Sequence, residues 1–252
     1  MKNNVAIGAL GVVLLLSGCA FDYYMPATQS VPLFTQKGDV KVLASAGLDK
    51  ENYVGEVQCA YSMLDHLSIS GAFSGMGGKK NDQFIQPDGV AFDVALGYYK
   101  SFSESIVFET YGGIGAYSRY PRYNPGDALI QYDNVSDINA VNLFVQPNLG
   151  YVAPNFEFAL STRIAQWSFT RVENRATPGT DEYDRLRQIA RGKNFVVFEP
   201  ALTLRGGSEY KKVQIQIVKT LPDRVNGKRL FDTFHISAGL ILVFPKGSQK
   251  NR

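Results

Sequence analysis

The 252-residue chain has little of several features that would point to a particular function. Its two cysteines exclude a disulfide-rich scaffold and a structural zinc site. A formal net charge of +3 is too small a basic excess to predict a nucleic-acid interface. With 45% apolar residues the chain is too hydrophobic to be disordered. We therefore expect a folded protein with no metal, no cofactor and no nucleic-acid partner.

Long apolar runs are missing too, except near the start. Val5 to Leu16 is about a dozen residues long, whereas a spanning helix needs roughly 20, so the run is typical of a signal peptide. It ends in Leu16-Ser17-Gly18-Cys19, which resembles a bacterial lipobox. That resemblance implies a lipoprotein signal peptide over residues 1–18 and acylation of Cys19. The alternative is an ordinary signal peptide with an incidental cysteine. Cys59 is then expected to be a free thiol.

Glycine and aromatic residues are abundant, with 24 Gly, 14 Tyr and 16 Phe, a bias that favours β-structure. From about residue 39 apolar and polar residues alternate with period two, as at Phe92-Asp93-Val94 and Val213-Gln214-Ile215. Ten such segments, most about ten residues long, have the length of transmembrane β-strands. They are centred near residues 43, 57, 71, 95, 111, 145, 163, 200, 214 and 239.

The connections between these segments are alternately short and long, as they are between the periplasmic and outer ends of an outer-membrane barrel. The sequence therefore predicts an all-β, transmembrane antiparallel β-barrel of about ten strands over residues 39–244. Residues 19–38 would form a lipidated periplasmic tether, and residues 245–252 a polar periplasmic tail. An even strand count returns both termini to the periplasmic side. Outward aromatics should form two belts, one with Tyr53, Phe73, Phe92 and Phe234 and the other with Tyr61, Tyr98, Tyr151, Phe156 and Phe244.

The last strand, Ser237 to Phe244, resembles the signal that the barrel-insertion machinery recognises, with Gly239, Leu242 and Phe244 in the expected order. The polar tail that follows departs from that pattern. Pro147 and Pro200 fall inside proposed strands, where a missing N–H interrupts pairing. We expect a bulge or a broken ladder at each.

Several stretches are similar to a family of small lipoprotein outer-membrane β-barrels from Bacteroidota. They are Tyr24-Met25-Pro26, Val31-Pro32-Leu33, Lys37-Gly38-Asp39, Phe144 to Tyr151 and Phe198-Glu199-Pro200-Ala201. The similarity spans most of the mature chain. It implies the fold and the location, and it implies no particular activity.

On each strand the polar residues that alternate with the apolar, outward-facing ones predict a polar lumen. A ten-stranded barrel is narrow, so its charged side chains should pair with one another. The interpretations are a plugged, structural lumen or a narrow polar pore for small solutes. The predicted network comprises Lys41, Glu56, Asp93, Glu109, Glu157, Arg163, Glu199, Arg205, Lys212 and His235.

Motifs for catalysis are sparse. His66 begins a strand at the periplasmic end, and His235 faces the lumen near the outer rim with Asp232 and Thr233 close in sequence. We therefore predict that the chain is not an enzyme. A surface hydrolase that uses His235 is the third functional hypothesis.

The outer loops suggest partners. Residues 119–133 carry arginines and tyrosines, which are favoured at interfaces, and residues 180–191 predict a short helix capped by Thr180. The loops would contact an envelope protein of unknown identity or the phosphates of lipopolysaccharide. The leading hypothesis is a lipid-anchored accessory subunit of a larger envelope complex. Its tether, residues 20–38, would dock on a partner or up into the barrel mouth. Because no acidic run follows Cys19, the anchor is expected in the inner leaflet of the outer membrane.

Overall fold

The computed structural model describes residues 27–48, 52–78, 88–120, 137–174, 178–192, 194–221, 224–225, 228–229 and 234–245. Ten strands form a closed antiparallel barrel, which confirms the predicted fold. The strands are β1 (Val40–Leu48), β2 (Asn52–Leu64), β3 (Leu67–Gly78), β4 (Asp88–Ser101), β5 (Ile106–Tyr120), β6 (Ile138–Val152), β7 (Phe156–Val172), β8 (Asn194–Gly207), β9 (Lys211–Lys219) and β12 (Phe234–Phe244).

The barrel closes because its first and last strands pair along the whole length of β1. Each strand pairs with its neighbours in sequence, and β1 pairs with β12 from Val40 opposite Phe244 to Leu48 opposite Ile236. Two further strands, β10 (Arg224–Val225) and β11 (Lys228–Arg229), form a separate antiparallel pair in the connection between β9 and β12. This small pair was not predicted.

The two ends of the barrel differ in the length of their connections. The short-turn end, where β1 begins and β12 ends, carries residues 65–66, 102–105, 153–155 and 208–210. The opposite end, here called the long-loop end, carries residues 49–51, 79–87, 121–137, 173–193 and 220–233. The alternation expected from the sequence is therefore present in the fold.

The period of two places apolar side chains outside and polar ones inside. On β7, Leu160 and Ile164 are exposed on the outer wall, while Arg163 between them is buried in the lumen. The aromatic residues predicted for the two belts are exposed at eight positions, and Phe234 is half-buried. A wall of exposed leucine, isoleucine, valine and aromatic residues is stable only where water is excluded from it.

The two prolines interrupt the ladder on one side each, as their missing N–H requires. Pro147 is opposite Thr110 of β5, but the pairing of β6 with β7 lapses between Val145 and Asn148. Pro200 is opposite Thr162 of β7, and the pairing of β8 with β9 starts only at Ala201. The expected broken ladder is therefore found beside both prolines without a change of register.

A helix covers part of the long-loop end. Helix α1 (Asp181–Gly192) matches the predicted helix, and Thr180 caps it by accepting a hydrogen bond from the Tyr183 N–H at 3.2 Å. Leu186 and Ile189 of α1 are fully buried in a cluster with Trp167, Phe169 and Phe195 on the inner face of β7 and β8. We call this the cap cluster. Within the described residues no helix is long and apolar enough to cross a membrane.

Candidate functional site: the polar lumen

The lumen is occupied by the chain's own N-terminal segment. Residues 27–38, here called the lumen segment, precede β1; residues 27–34 are buried or half-buried inside the barrel, and residues 35–37 are exposed at the short-turn end. At the short-turn end, the Gly38 N–H donates to the Ser62 carbonyl at 2.7 Å. Farther in, the Thr28 N–H donates to the Glu56 carboxylate at 2.8 Å. Of the two docking places expected for the tether, its described part occupies the barrel, and residues 19–26 lie outside the described residues.

Apolar side chains anchor the half of the lumen segment that lies nearer the short-turn end. Val31, Leu33 and Phe34 are buried, and Phe34 packs against Tyr99 with ring centroids 5.7 Å apart. Leu33 lies against Gly150 of β6, where an added Cβ would come within 2.4 Å of the leucine Cδ2. Glycine at position 150 therefore creates the space that the leucine fills.

At the N-terminal end of the segment, polar wall residues form hydrogen bonds with its backbone groups. Gln58 Nε2 donates to the Thr28 carbonyl at 2.7 Å, and the Gln29 N–H donates to Gln216 Oε1 at 2.6 Å. The Gln29 side chain donates to the Glu199 carbonyl at 2.6 Å and accepts from the Ser161 hydroxyl at 2.7 Å. An extended peptide without sheet partners can be buried here because the wall replaces those partners.

The same arrangement continues towards the short-turn end. Gln146 Nε2 donates to the Ser30 carbonyl at 2.6 Å, and the Arg205 guanidinium donates to the Val31 carbonyl at 2.6 Å. Lys41 Nζ donates to the Leu33 carbonyl at 3.0 Å. The Phe34 N–H donates to the Glu109 carboxylate at 2.8 Å. The charged lumen residues therefore bind backbone groups of the segment as well as one another.

Two groups of ion pairs connect the barrel wall. Glu157 accepts from Arg205 at 2.8 Å and from Lys212 at 2.6 Å, and all three side chains are buried. Arg163 pairs with Asp93 at 3.0 Å and lies over the Phe144 ring, 4.3 Å from its centroid. Such buried pairs are costly to break, because the remaining charge is left without a counter-ion.

The structure brings the ten predicted network residues to one lumen, but in three different roles. Five of them form the ion pairs: Asp93, Glu157, Arg163, Arg205 and Lys212. Lys41, Glu56 and Glu109 bind the lumen segment through their side chains, whereas Glu199 binds it through its backbone carbonyl and accepts from Thr220 at 3.1 Å. His235 takes part in neither arrangement.

His235 is fully buried beside Gly47, where an added Cβ would lie 2.1 Å from the ring Cε1. Neither ring nitrogen has a hydrogen-bond partner within the described residues. Asp232 and Thr233, its proposed catalytic neighbours, lie outside the described residues. His66 is exposed at the short-turn end, and its Nδ1 is 3.0 Å from the Tyr99 carbonyl.

The other predicted sites lie in or outside the wall. Gly239, Leu242 and Phe244 belong to β12, and Leu242 and Phe244 are exposed on its outer face. Cys59 is a free thiol that is exposed on the outside of β2. Cys19 lies outside the described residues. In the described part of the chain no three potential ligands are grouped to hold a metal ion.

The sequence left two docking places open for the tether and did not choose between them, and the face of β7 contains a signal for the cap cluster that was missed. Its inward positions change from Arg163 to Ala165, Trp167 and Phe169 towards the long-loop end. A polar face that becomes aromatic indicates that something apolar packs there. The lumen segment has no such periodic pattern.

The space that remains beside the lumen segment is small. A cavity between Ser30, Tyr111, Phe144 and Arg163 has a volume of about 10 Å³, enough for about one water molecule. The arrangement can hold a peptide in a polar tube. At this position beside Ser30 there is no room for a solute larger than water.

No protein-family description matches the chain, and no curated protein is similar enough to count as a relative. Solved structures with a similar barrel include an outer-membrane channel from Pseudomonas putida, with 10% identity, a TM-score of 0.45, and 86% of this chain and 100% of that chain covered. The KdgM porin has 7% identity and a TM-score of 0.40, with 81% and 99% covered. These likenesses concern the barrel alone.

A third solved structure corrects one prediction. The outer-membrane protease OmpT from Escherichia coli is 10% identical, with a TM-score of 0.43 and 86% of this chain and 99% of that chain covered. We predicted from the sparse motifs that the chain is not an enzyme. That prediction is wrong as drawn, because a barrel of this kind also occurs in a protease and the architecture therefore does not exclude catalysis.

Proposed function

We propose that the chain is an outer-membrane β-barrel that its own N-terminal segment closes to solutes, and that it serves a structural or interaction role in the envelope. The observation that carries this proposal is the lumen segment, whose backbone and side chains are hydrogen-bonded to the wall from Thr28 to Gly38. A solute pore would need the space that this peptide fills.

The membrane location is supported by the outer wall. Exposed apolar residues cover the strands, and exposed aromatic rings lie towards both ends, such as Tyr53 and Phe92 near the long loops and Tyr98 and Tyr151 near the short turns. Aromatic girdles of this kind suit the two headgroup regions of a bilayer. Acylation of Cys19 would add a lipid anchor, so we also propose that the protein is a lipoprotein of the outer membrane.

Planar-bilayer recording tests the closed lumen. We expect the full-length protein to insert without producing conductance steps. A variant that lacks residues 27–36 should conduct, because the polar side chains that bind the segment would then line a water-filled channel. Steady conductance of the full-length protein at low voltage would contradict the proposal.

The second candidate function is a narrow polar pore that opens when the lumen segment withdraws. It is favoured by the chemistry of many of the segment's contacts, which are hydrogen bonds to polar wall residues such as Gln58, Gln146 and Gln216. Water can replace each of these bonds, so the segment is not held irreversibly.

A reversible cross-link distinguishes the two candidates. The hydroxyls of Thr28 and Ser237 are 3.2 Å apart, so cysteines at both positions should form a disulfide in a Cys59→Ser background. If the protein is a gated pore, the full-length chain conducts in the reduced state and is silent when cross-linked. If the barrel is permanently closed, both states are silent.

The interaction role needs a partner, which we propose to be an envelope protein or the phosphate groups of lipopolysaccharide. Basic side chains such as Arg187 and Arg191 are exposed on α1 beside the long-loop end. Affinity purification from mild detergent should recover a second protein in fixed proportion, and a lone monomer would count against a protein partner. The insertion machinery would act only during assembly.

A further inference from the structure

The path of the lumen segment bears on which side of the membrane the chain begins. Gly38 lies beside Ser62 of β2, close to the short-turn end. Thr28, ten residues earlier in sequence, lies beside Glu56, six residues along β2 towards the long-loop end. Followed towards its N-terminus, the segment therefore runs through the barrel from the short-turn end towards the long-loop end.

The N-terminal end of the described segment lies near the long-loop end of the barrel. The Thr28 hydroxyl is 3.4 Å from the Ser45 hydroxyl of β1 and 3.2 Å from that of Ser237 on β12. Leu48 ends β1 three residues beyond Ser45, and Phe234 begins β12 three residues before Ser237. At about 3.3 Å per strand residue, Thr28 is only about 10 Å from the long-loop end.

Turning back would require a second peptide in the same tube. The distance from Glu56 to Ser62 is six strand residues, about 20 Å at the usual rise. Beside Ser30 the remaining cavity is about 10 Å³, too small for any residue. A returning chain would also need new partners for its backbone, and most polar wall residues around the segment already bind the segment or one another.

The route forward lies away from the cap cluster. The cap cluster fills the side of the barrel formed by β4 to β8, whereas Thr28 lies against β12, β1 and β2. On that side the His235 ring lies over Gly47, in the space that a side chain at position 47 would take, and no described residue pairs its two ring nitrogens. Eight residues from Cys19 to Ala27 can span at most about 26–29 Å when extended, which exceeds the 10 Å that remain.

We propose that the chain threads through its own barrel, so that Cys19 emerges at the long-loop end and its acyl chains insert into the leaflet on that side. This inference rests on the proposed membrane barrel. It differs from the expectation of an anchor on the short-turn side, which was drawn from the even strand count and from the missing acidic run after Cys19. In an outer membrane with long loops outside, the lipid anchor lies in the outer leaflet.

Epitope tags test the threading in intact cells. One variant carries a tag after Asp22, a second within residues 121–136 of a long loop and a third between Ser103 and Glu104 in a short turn. We expect antibody added to intact cells to bind the Asp22 tag as well as the long-loop tag, whereas the short-turn tag is detected only after permeabilisation. An Asp22 tag that behaves like the short-turn tag overturns the inference.

A second measurement shows that the tag has not displaced the segment. The Thr28→Cys and Ser237→Cys substitutions, combined with Cys59→Ser in the Asp22-tagged chain, should give a disulfide and a shift on non-reducing gels. If the disulfide forms and the tag stays hidden, the threading is refuted, and if no disulfide forms the segment is not in the lumen and the inference also fails. If the loop and turn tags show no difference in sidedness, it is the membrane barrel itself that fails.

Discussion

At the residue scale, the lumen depends on a few side chains that serve several partners at once. Glu157 is bound by both Arg205 and Lys212, and Arg205 also donates to Gln214 at 2.7 Å and to the Val31 carbonyl. This one carboxylate therefore stabilises two buried cations and, through Arg205, the lumen segment. Alternation in the sequence placed these residues in the lumen but did not indicate which of them pair.

Glu157→Gln should be strongly destabilising. The amide keeps the volume but removes the negative charge, which leaves Arg205 and Lys212 buried without a counter-ion. Breaking a buried pair in this way costs about 3–5 kcal/mol, measurable as a lower urea midpoint for unfolding from detergent micelles. Glu104→Gln, in an exposed turn, is the matched control and should leave the midpoint unchanged. Equal midpoints for both variants would contradict the assigned role.

Gly47→Ala tests the packing of His235. The new methyl group would overlap the ring, and overpacking of this kind costs about 1–3 kcal/mol. We expect the loss of unfolding free energy to disappear when His235→Ala is combined with it, because the overlapping ring is then absent. Gly55→Ala, where an added Cβ meets nothing within 4 Å, should be neutral in either background. Additive effects of Gly47→Ala and His235→Ala would show that the ring is elsewhere.

At the scale of elements, the strands and α1 could be predicted because their signals are local. Period-two alternation gave the strands, and Thr180 followed by acids and then bases gave the helix. The lumen segment could not be found in this way. Its contacts join residues far apart in sequence, such as Gln29 and Gln216, and it has neither alternation nor helical periodicity. Its place inside the barrel depends on the shape of the closed wall, which no local pattern describes.

Helix α1 should close its end of the barrel only while its apolar face stays buried. Leu186→Asp places a charge in the cap cluster, where it has no water to solvate it, so the helix should detach. Trp167 is the only tryptophan in the chain and is buried in this cluster. Its emission should therefore shift to the red and become quenchable by iodide. Arg187→Asp, on the exposed side of α1, is the control and should leave the emission unchanged.

At the scale of the whole molecule, the barrel has an apolar exterior and a polar, peptide-filled interior. This is the reverse of a water-soluble barrel, whose core is apolar. The net charge, the composition and the mean hydropathy of −0.12 reflect the balance of the two faces and so resemble those of a soluble protein. The fold was predictable because the alternation separates those two faces. The position of the lumen segment was not, because it depends on contacts between the N-terminal residues and strands far away in sequence, such as Gln29 with Gln216 of β9.

Charges on the outer wall should be tolerated according to their depth. Val145 lies halfway along β6 and Tyr151 near its short-turn end, and both are exposed. Val145→Arg should lower the free energy of unfolding from phospholipid vesicles by about 2–4 kcal/mol and Tyr151→Arg by about 0–1 kcal/mol, because the cost falls from the bilayer midplane to the interface. Equal costs at both positions would mean that this wall does not face a bilayer.

The lumen segment also has a consequence for assembly. It lies between Cys19, which is predicted to carry lipid, and β1, which closes the barrel against β12. Beside Ser30 the wall leaves a cavity of only about 10 Å³ around the segment, so a bulkier acylated chain end would not follow the peptide through a finished barrel. Under the proposed threading, the wall would therefore close around the segment at the seam between β1 and β12. The enclosed peptide would then be in place before the lumen around it is complete.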